Sequence, residues 1–202
     1  MKTNKKPVLD LMVDIETLST DRDKGLVLSI GVQSFSLNDE PPAKDFSLYT
    51  CFIPDSGKQV GRVVDQDTWD WWQKPSMAEA RYRMELDLAA HARTFYFGWA
   101  EVHGKLAYLA DHYELHVWSK GMDFDFPMIE SSLRDAGLYR AASDLPWKYY
   151  NKHDMRTVVD LAKRMGWEDD TPWDKVPHSA LEDCRVQVEQ LKKAIAFLVA
   201  SE

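Results

Sequence analysis

Two cysteines, Cys51 and Cys184, are all the sequence holds. A pair so sparse and so far apart excludes a disulfide-stapled fold and a Cys-rich zinc module, and reads as reduced core thiols. Long hydrophobic runs are missing as well. The apolar stretch after the polar segment Met1 to Lys6 is cut by Asp10, Asp14 and Glu16, so it is neither a secretory core nor a membrane span. Such a chain is expected in the cytoplasm, without a membrane partner. Positive charge is in deficit, with 25 Lys and Arg against 33 Asp and Glu and a net charge of −8. That disfavours a broad basic stripe for gripping polyanions, although cations bound at a site would supply positive charge locally. No G-x-x-x-x-G-K-[ST] loop is present, which sets aside nucleotide kinases, and no H-E-x-x-H, which sets aside that class of zinc hydrolase. Repeats and low-complexity blocks are lacking too.

What is present supports a folded enzyme-sized unit. Of 202 residues, 45% are hydrophobic and 29% charged, enough for a sizeable core, and one domain over residues 1–202 is expected. Val8 to Ile15, Leu26 to Phe35 and Asp45 to Ile53 read as three strands joined by short polar turns, an antiparallel meander. Asp67 to Gln73 reads as a short helix carrying Trp69, Trp71 and Trp72. Ser76 and Glu79 have capping-box spacing for a helix after Pro75. Leu88, Ala92, Phe95, Trp99, Val102, Leu106 and Leu109 fall on one face of a long helix. Leu115 to Trp118 reads as a fourth strand. Phe126 to Ala136 follows as a helix with Pro127 in its first turn and Gly137 at its end. Helices are also read through Met155 to Met165 and along the stripe Leu181, Cys184, Val188, Leu191, Ile195, Leu198. The pattern gives an α/β domain with a mixed sheet.

Three acidic boxes stand out. In Val13-Asp14-Ile15-Glu16-Thr17, strand alternation sends Asp14 and Glu16 to the same side, where a divalent cation would offset their repulsion and lost hydration. The plainer alternative leaves Glu16 in solvent past the strand end and Asp14 as a turn cap. The second box, after the fourth strand, offers Asp123 and Asp125 at a strand-to-helix junction, and either serves as well as a helix cap. In the third box, Ser179 and Glu182 have capping-box spacing, which puts His178 just outside the last helix and Asp183 in its first turn. His178 also reads as an ordinary loop histidine.

Taken in order, D-x-E on the first strand, an acid after a later strand, and His178-x-Ala180-x-x-Asp183 opening the last helix resemble the DEDDh 3′–5′ exonucleases. These have an RNase H-like (DnaQ-like) fold, a mixed central sheet with antiparallel front strands flanked by helices. The resemblance runs from about Val8 to Leu198, and Ser29-Ile30-Gly31 agrees with it. Thr68, Trp71-Trp72, Pro75, Ala78 and Arg81, with Val117-Trp118, Gly121, Pro146-Trp147 and Met155-Arg156-Thr157, are similar to the RNase T-related group that contains phage exonuclease A (DexA) and RNase AS. Phe124-Asp125 matches that group's second box, whereas Asp123 is a departure from it.

The resemblance implies hydrolysis of phosphodiester bonds from the 3′ end of single-stranded DNA or RNA, releasing nucleoside 5′-monophosphates. It implies two Mg²⁺ or Mn²⁺ ions held by Asp14, Glu16, Asp125 and Asp183, with His178 as general base. Thr17 and Leu18 would line the terminal nucleotide, Leu18 being equally readable as strand-end packing. Trp72 would add stacking surface, the alternative for the tryptophan cluster being core packing. Arg156 and Lys120 are candidate phosphate contacts or solvated, salt-bridged side chains. Some members of the group are dimers, so a homodimer is among the assemblies implied. A catalytically inactive binding or scaffold module of the same fold is the alternative function.

Overall fold

A computed structural model describes residues 5–38, 40–172 and 178–200. Its strands are β1 (Val8–Thr17), β2 (Val27–Phe35), β3 (Ser47–Cys51), β4 (Glu114–Ser119) and β5 (Lys152–Asp154). They form one sheet in the order β3-β2-β1-β4-β5. β1 pairs antiparallel with β2 and β2 with β3, whereas β4 lies parallel to β1 and β5 parallel to β4. The mixed sheet with an antiparallel front is as the sequence predicted. β1 also carries through Glu16 to Thr17, so Glu16 belongs to the strand and is not left in solvent beyond it.

The helices are α1 (Pro54–Gln59), α2 (Gln66–Trp72), α3 (Ala78–His91), α4 (Phe95–His112), α5 (Met122–Asp135), α6 (Met155–Arg164) and α7 (Ala180–Ala200). Alternation along β1 assigns the two faces of the sheet. Leu9, Leu11, Val13 and Ile15 point into a core shared with Phe95, Trp99, Val102 and Leu106 of α4 and Phe126 and Ile129 of α5. Met12 points the other way, into a core with Met155 and Val159 of α6 and Cys184, Leu191 and Ala194 of α7. Each fully buried Leu, Val or Phe stabilises the fold by about 1.5–3 kcal/mol. A third cluster joins Leu18, Leu26 and Leu28 to Trp72 of α2 and Met77, Ala80 and Met84 of α3. Cys51 and Cys184 are free and buried, as expected of core thiols. Among the described residues no helix is long and apolar enough to cross a membrane.

Three expectations are corrected. The long helix read from Leu88 to Leu109 is two helices. Between α3 and α4, Arg93 donates its N–H to the Cys51 carbonyl and accepts from the Ile53 N–H, both at 2.8 Å, because the edge of β3 offers unpaired groups. The Ser56 hydroxyl then accepts from the Phe95 N–H at 2.9 Å and starts α4. Ser76 does not cap α3, whose N-cap residue Met77 makes no side-chain cap bond and follows a tight turn at Pro75–Met77. Finally, α5 begins at Met122 and contains Pro127 in its body. Gly121, at φ +125°, reverses the chain straight out of β4, and its carbonyl accepts the N–H groups of Phe124 (2.8 Å) and Asp125 (3.2 Å). α1 and β5 had no counterpart in the sequence reading.

Candidate active site

The carboxylates meet where β1 and β4 end and α5 and α7 begin. Asp14 and Glu16 share a face of β1, opposite Gly31 and Ser29 of β2 respectively. α7 crosses that spot closely: a Cβ on Gly31 would lie 2.3 Å from the carbonyl carbon of Ala180, and the Cys184 thiol reaches the Gly31 carbonyl at 3.4 Å. Only glycine permits this approach, and the approach delivers Asp183 to Glu16. The Ser179 carbonyl accepts from the Asp183 N–H at 2.8 Å, consistent with the N-cap position read for Ser179.

From α5, Asp125 turns inward and is buried, whereas Asp123 faces solvent and pairs with Arg22 at 3.2 Å. The early start of α5 separates the two, because residues two apart on a helix diverge by about 200°. Gln187, one turn beyond Asp183, donates to Asp14 Oδ1 at 2.7 Å. Gln187 was not among the residues singled out above; its signal in the sequence is a polar side chain four residues after a candidate ligand, hence on the same helix face.

Burial is the main force on every one of these acids. It drives Asp14 well above the ordinary carboxylate range, helped by Asp125 and Asp183 and opposed by the Gln187 hydrogen bond and by Lys120. Glu16 is driven up likewise by burial, then by Asp14 and Asp183. Burial lifts Asp125 to about 7 against the pull of Ser119. It lifts Asp183 to about 6, with Lys120 among the opposing groups. Four acids that resist joint ionisation near neutral pH form a site that multivalent cations would relieve.

His178 completes one end of the cluster. One ligand atom each from Glu16, His178 and Asp183 lies within 4.8 Å of the others. The histidine is exposed on one side, yet its ring meets Trp71 edge-on at 5.1 Å and Trp72 at 6.4 Å. Lost hydration on that flank pushes its pKa down, which keeps the ring neutral at pH 7. Trp72 is itself buried, and its indole N–H donates to the Thr17 carbonyl at 2.8 Å. Leu18 is also buried. With Leu28, Trp69, Trp72, Met84 and Leu88 it lines an apolar cavity of about 360 Å³. Of the three tryptophans, only Trp69 is largely exposed, at 45%. A larger cavity, about 850 Å³, lies between Ser19–Asp21 and α2 and touches this cluster only through Trp71, so size does not mark the chemical centre.

Comparison with known proteins places the chain in a family. The family model described as "3'-5' exoribonuclease Rv2179c-like domain" matches residues 9–195. The exodeoxyribonuclease of Enterobacteria phage T4 is 24% identical over 217 residues, covering 96% of this chain and 92% of that one. Exonuclease I from Methylocaldum szegediense superposes with a TM-score of 0.62 at 14% identity over 96% of this chain. E. coli exonuclease I, in a zinc-bound complex with single-stranded DNA, superposes with a TM-score of 0.59 at 12% identity, also over 96% of this chain. The chain spans 43% of the length of each of these two exonuclease I chains. The fold is thus RNase H-like. The chain belongs to the Rv2179c-like 3′–5′ exoribonuclease domain family and is a 3′–5′ exonuclease of the DnaQ-like superfamily.

Proposed function

We propose that Asp14, Glu16, Asp125 and Asp183 hold two Mg²⁺ or Mn²⁺ ions and that His178 is the general base for cutting single-stranded DNA or RNA from its 3′ end. The observation that carries this is the convergence of four carboxylates from β1, α5 and α7, each lifted by burial and each also by neighbouring acids. Isolated in an apolar setting they would cost several kcal/mol to ionise, and cations offset that cost. An all-carboxylate donor set suits hard ions better than zinc, even though a similar exonuclease I carries zinc. When bound, the ions supply neutralisation of the phosphodiester and of the charge that develops on its attacking and leaving oxygens.

The residues of the chain do the rest. His178, neutral at pH 7, accepts the proton of the attacking water on a ring nitrogen, and the product is a nucleoside 5′-monophosphate. Thr17 and Leu18, at the end of β1, meet the terminal nucleotide. Trp72 holds Thr17 in place through its carbonyl and offers the wall beside Leu18, so it acts mainly as a positioning residue. Calorimetric titration with Mn²⁺ tests the metal assignment. Two ions per chain are expected, and Asp14→Asn should weaken both. A single ion would overturn the pair, and binding indifferent to Asp14→Asn would overturn the site.

A further inference from the structure

The carboxylates have two different flanks across the sheet. His178 lies toward β3, in a cavity whose wall includes Tyr49 of that strand. On the other flank, beyond β4, a second cavity of about 240 Å³ opens between α6 and α7, lined by Lys120, Arg156, Lys163, Asp160, Asp169 and Gln190. Three cations against two acids make it locally positive in a chain of net charge −8.

Two of these cations lie close to the chemistry: Lys120 directly follows Ser119 at the end of β4, where the carboxylates meet, and Arg156 lies beside it in the first turn of α6. Arg156 is fixed by donating to the Lys120 carbonyl at 3.0 Å and by resting against Gly121, where an added Cβ would meet its guanidinium at 3.3 Å. Lys163 pairs with Asp169 at 2.9 Å. Burial is the main force that pushes the Lys120 pKa down; Arg156 and Lys163 add to it, and Asp169 and Asp14 oppose it.

In-line displacement at phosphorus places the attacking water and the leaving oxygen on opposite sides. In 3′–5′ hydrolysis the leaving oxygen is the 3′ oxygen of the strand that remains. With His178 on the β3 side, the retained strand departs on the β4–β5 side, toward the cations. We propose that Lys120, Arg156 and Lys163 form an anion subsite for the first phosphodiester of the retained strand, one nucleotide 5′ of the bond that is cut. The inference rests on the general-base role given to His178.

Trinucleotides provide the test, one with both linkages natural and one with a neutral methylphosphonate at the linkage that is not cut. The wild-type enzyme should prefer the natural substrate in kcat/KM by about tenfold, the size expected of a charge-assisted contact. Lys163→Ala and Arg156→Gln should each bring that ratio toward one. A ratio near one in the wild type would overturn the subsite, as would a ratio that both variants leave unchanged while slowing the two substrates alike. Cleavage of neither trinucleotide would overturn the exonuclease reading itself, and with it the subsite.

Discussion

At the residue scale, Asp14 carries the heaviest load. It is flanked by Glu16 on its own strand, by Asp125 and Asp183, and by the Gln187 amide at 2.7 Å. Asp14→Asn should lower kcat/KM by on the order of 10³ or more, as one of the four carboxylates that would hold the metal ions is lost. Its thermal midpoint without added metal should match or exceed the wild-type value at pH 8, since one member of a like-charged buried cluster is gone. His178→Ala should cost about 10²- to 10⁴-fold in kcat. The wild-type rate should rise with pH through the histidine's pKa, and because burial lowers that pKa this limb should lie below the ordinary 6.5. A different role fits Trp72. Trp72→Phe removes the bond to the Thr17 carbonyl, worth about 1 kcal/mol, and should raise KM several-fold with a smaller change in kcat. Asp14, Glu16, Asp183 and His178 were legible in the sequence because each sits at a readable strand end or helix start. Asp125 was preferred over Asp123 through the match of Phe124-Asp125 to the resembled second box, and the burial that separates the two depends on where Gly121 turns the chain.

Elements set the distances between these residues. The first turn of α7 rests directly on Gly31, so Gly31→Ala must lift the helix or bend β2. Overpacking of this kind costs about 1–3 kcal/mol, visible as a lower thermal midpoint. Activity should fall further than stability explains, because displacing Asp183 by about 1 Å can cost about 100-fold. Assaying the variant well below its midpoint separates the two effects. The long apolar stripe of α7 was plain in the sequence, since it persists over 21 residues. The break between α3 and α4 was hidden, because the stripe continues in register while Leu88 and Phe95 pack into different clusters. Hydrogen bonds to the edge of β3 decide that break, and they are long-range. β5 was illegible for a simpler reason: Lys152-His153-Asp154 is three polar residues whose strand geometry comes from pairing with β4.

For the whole molecule, the site is a stored electrostatic cost. Asp125 and Asp183 titrate at about 7 and about 6 in the folded chain, above the ordinary 3.8, so the folded state holds protons that the unfolded state releases. Their contribution to stability is therefore full below the ordinary carboxylate range and is lost as pH rises through 6 to 7. Without divalent ions the thermal midpoint should fall between pH 5 and pH 8 by more in the wild type than in Asp125→Asn. Mn²⁺ should restore it, with a larger upward shift at pH 8 than at pH 5, because ligands must be ionised to bind. The antiparallel meander of β1 to β3 and the mixed character of the sheet were readable from alternation and β-branched runs. The third cluster, which fastens α2 and α3 to the end of β1, was not, because its partners lie far apart in sequence. The most direct measurement is degradation of 5′-labelled single-stranded DNA and RNA oligonucleotides in Mg²⁺ or Mn²⁺. Wild-type enzyme should give a ladder shortening from the 3′ end on at least one polymer, abolished by chelation and by Asp14→Asn. Labelled mononucleotide appearing at once, or an undiminished ladder with Asp14→Asn, would contradict the account.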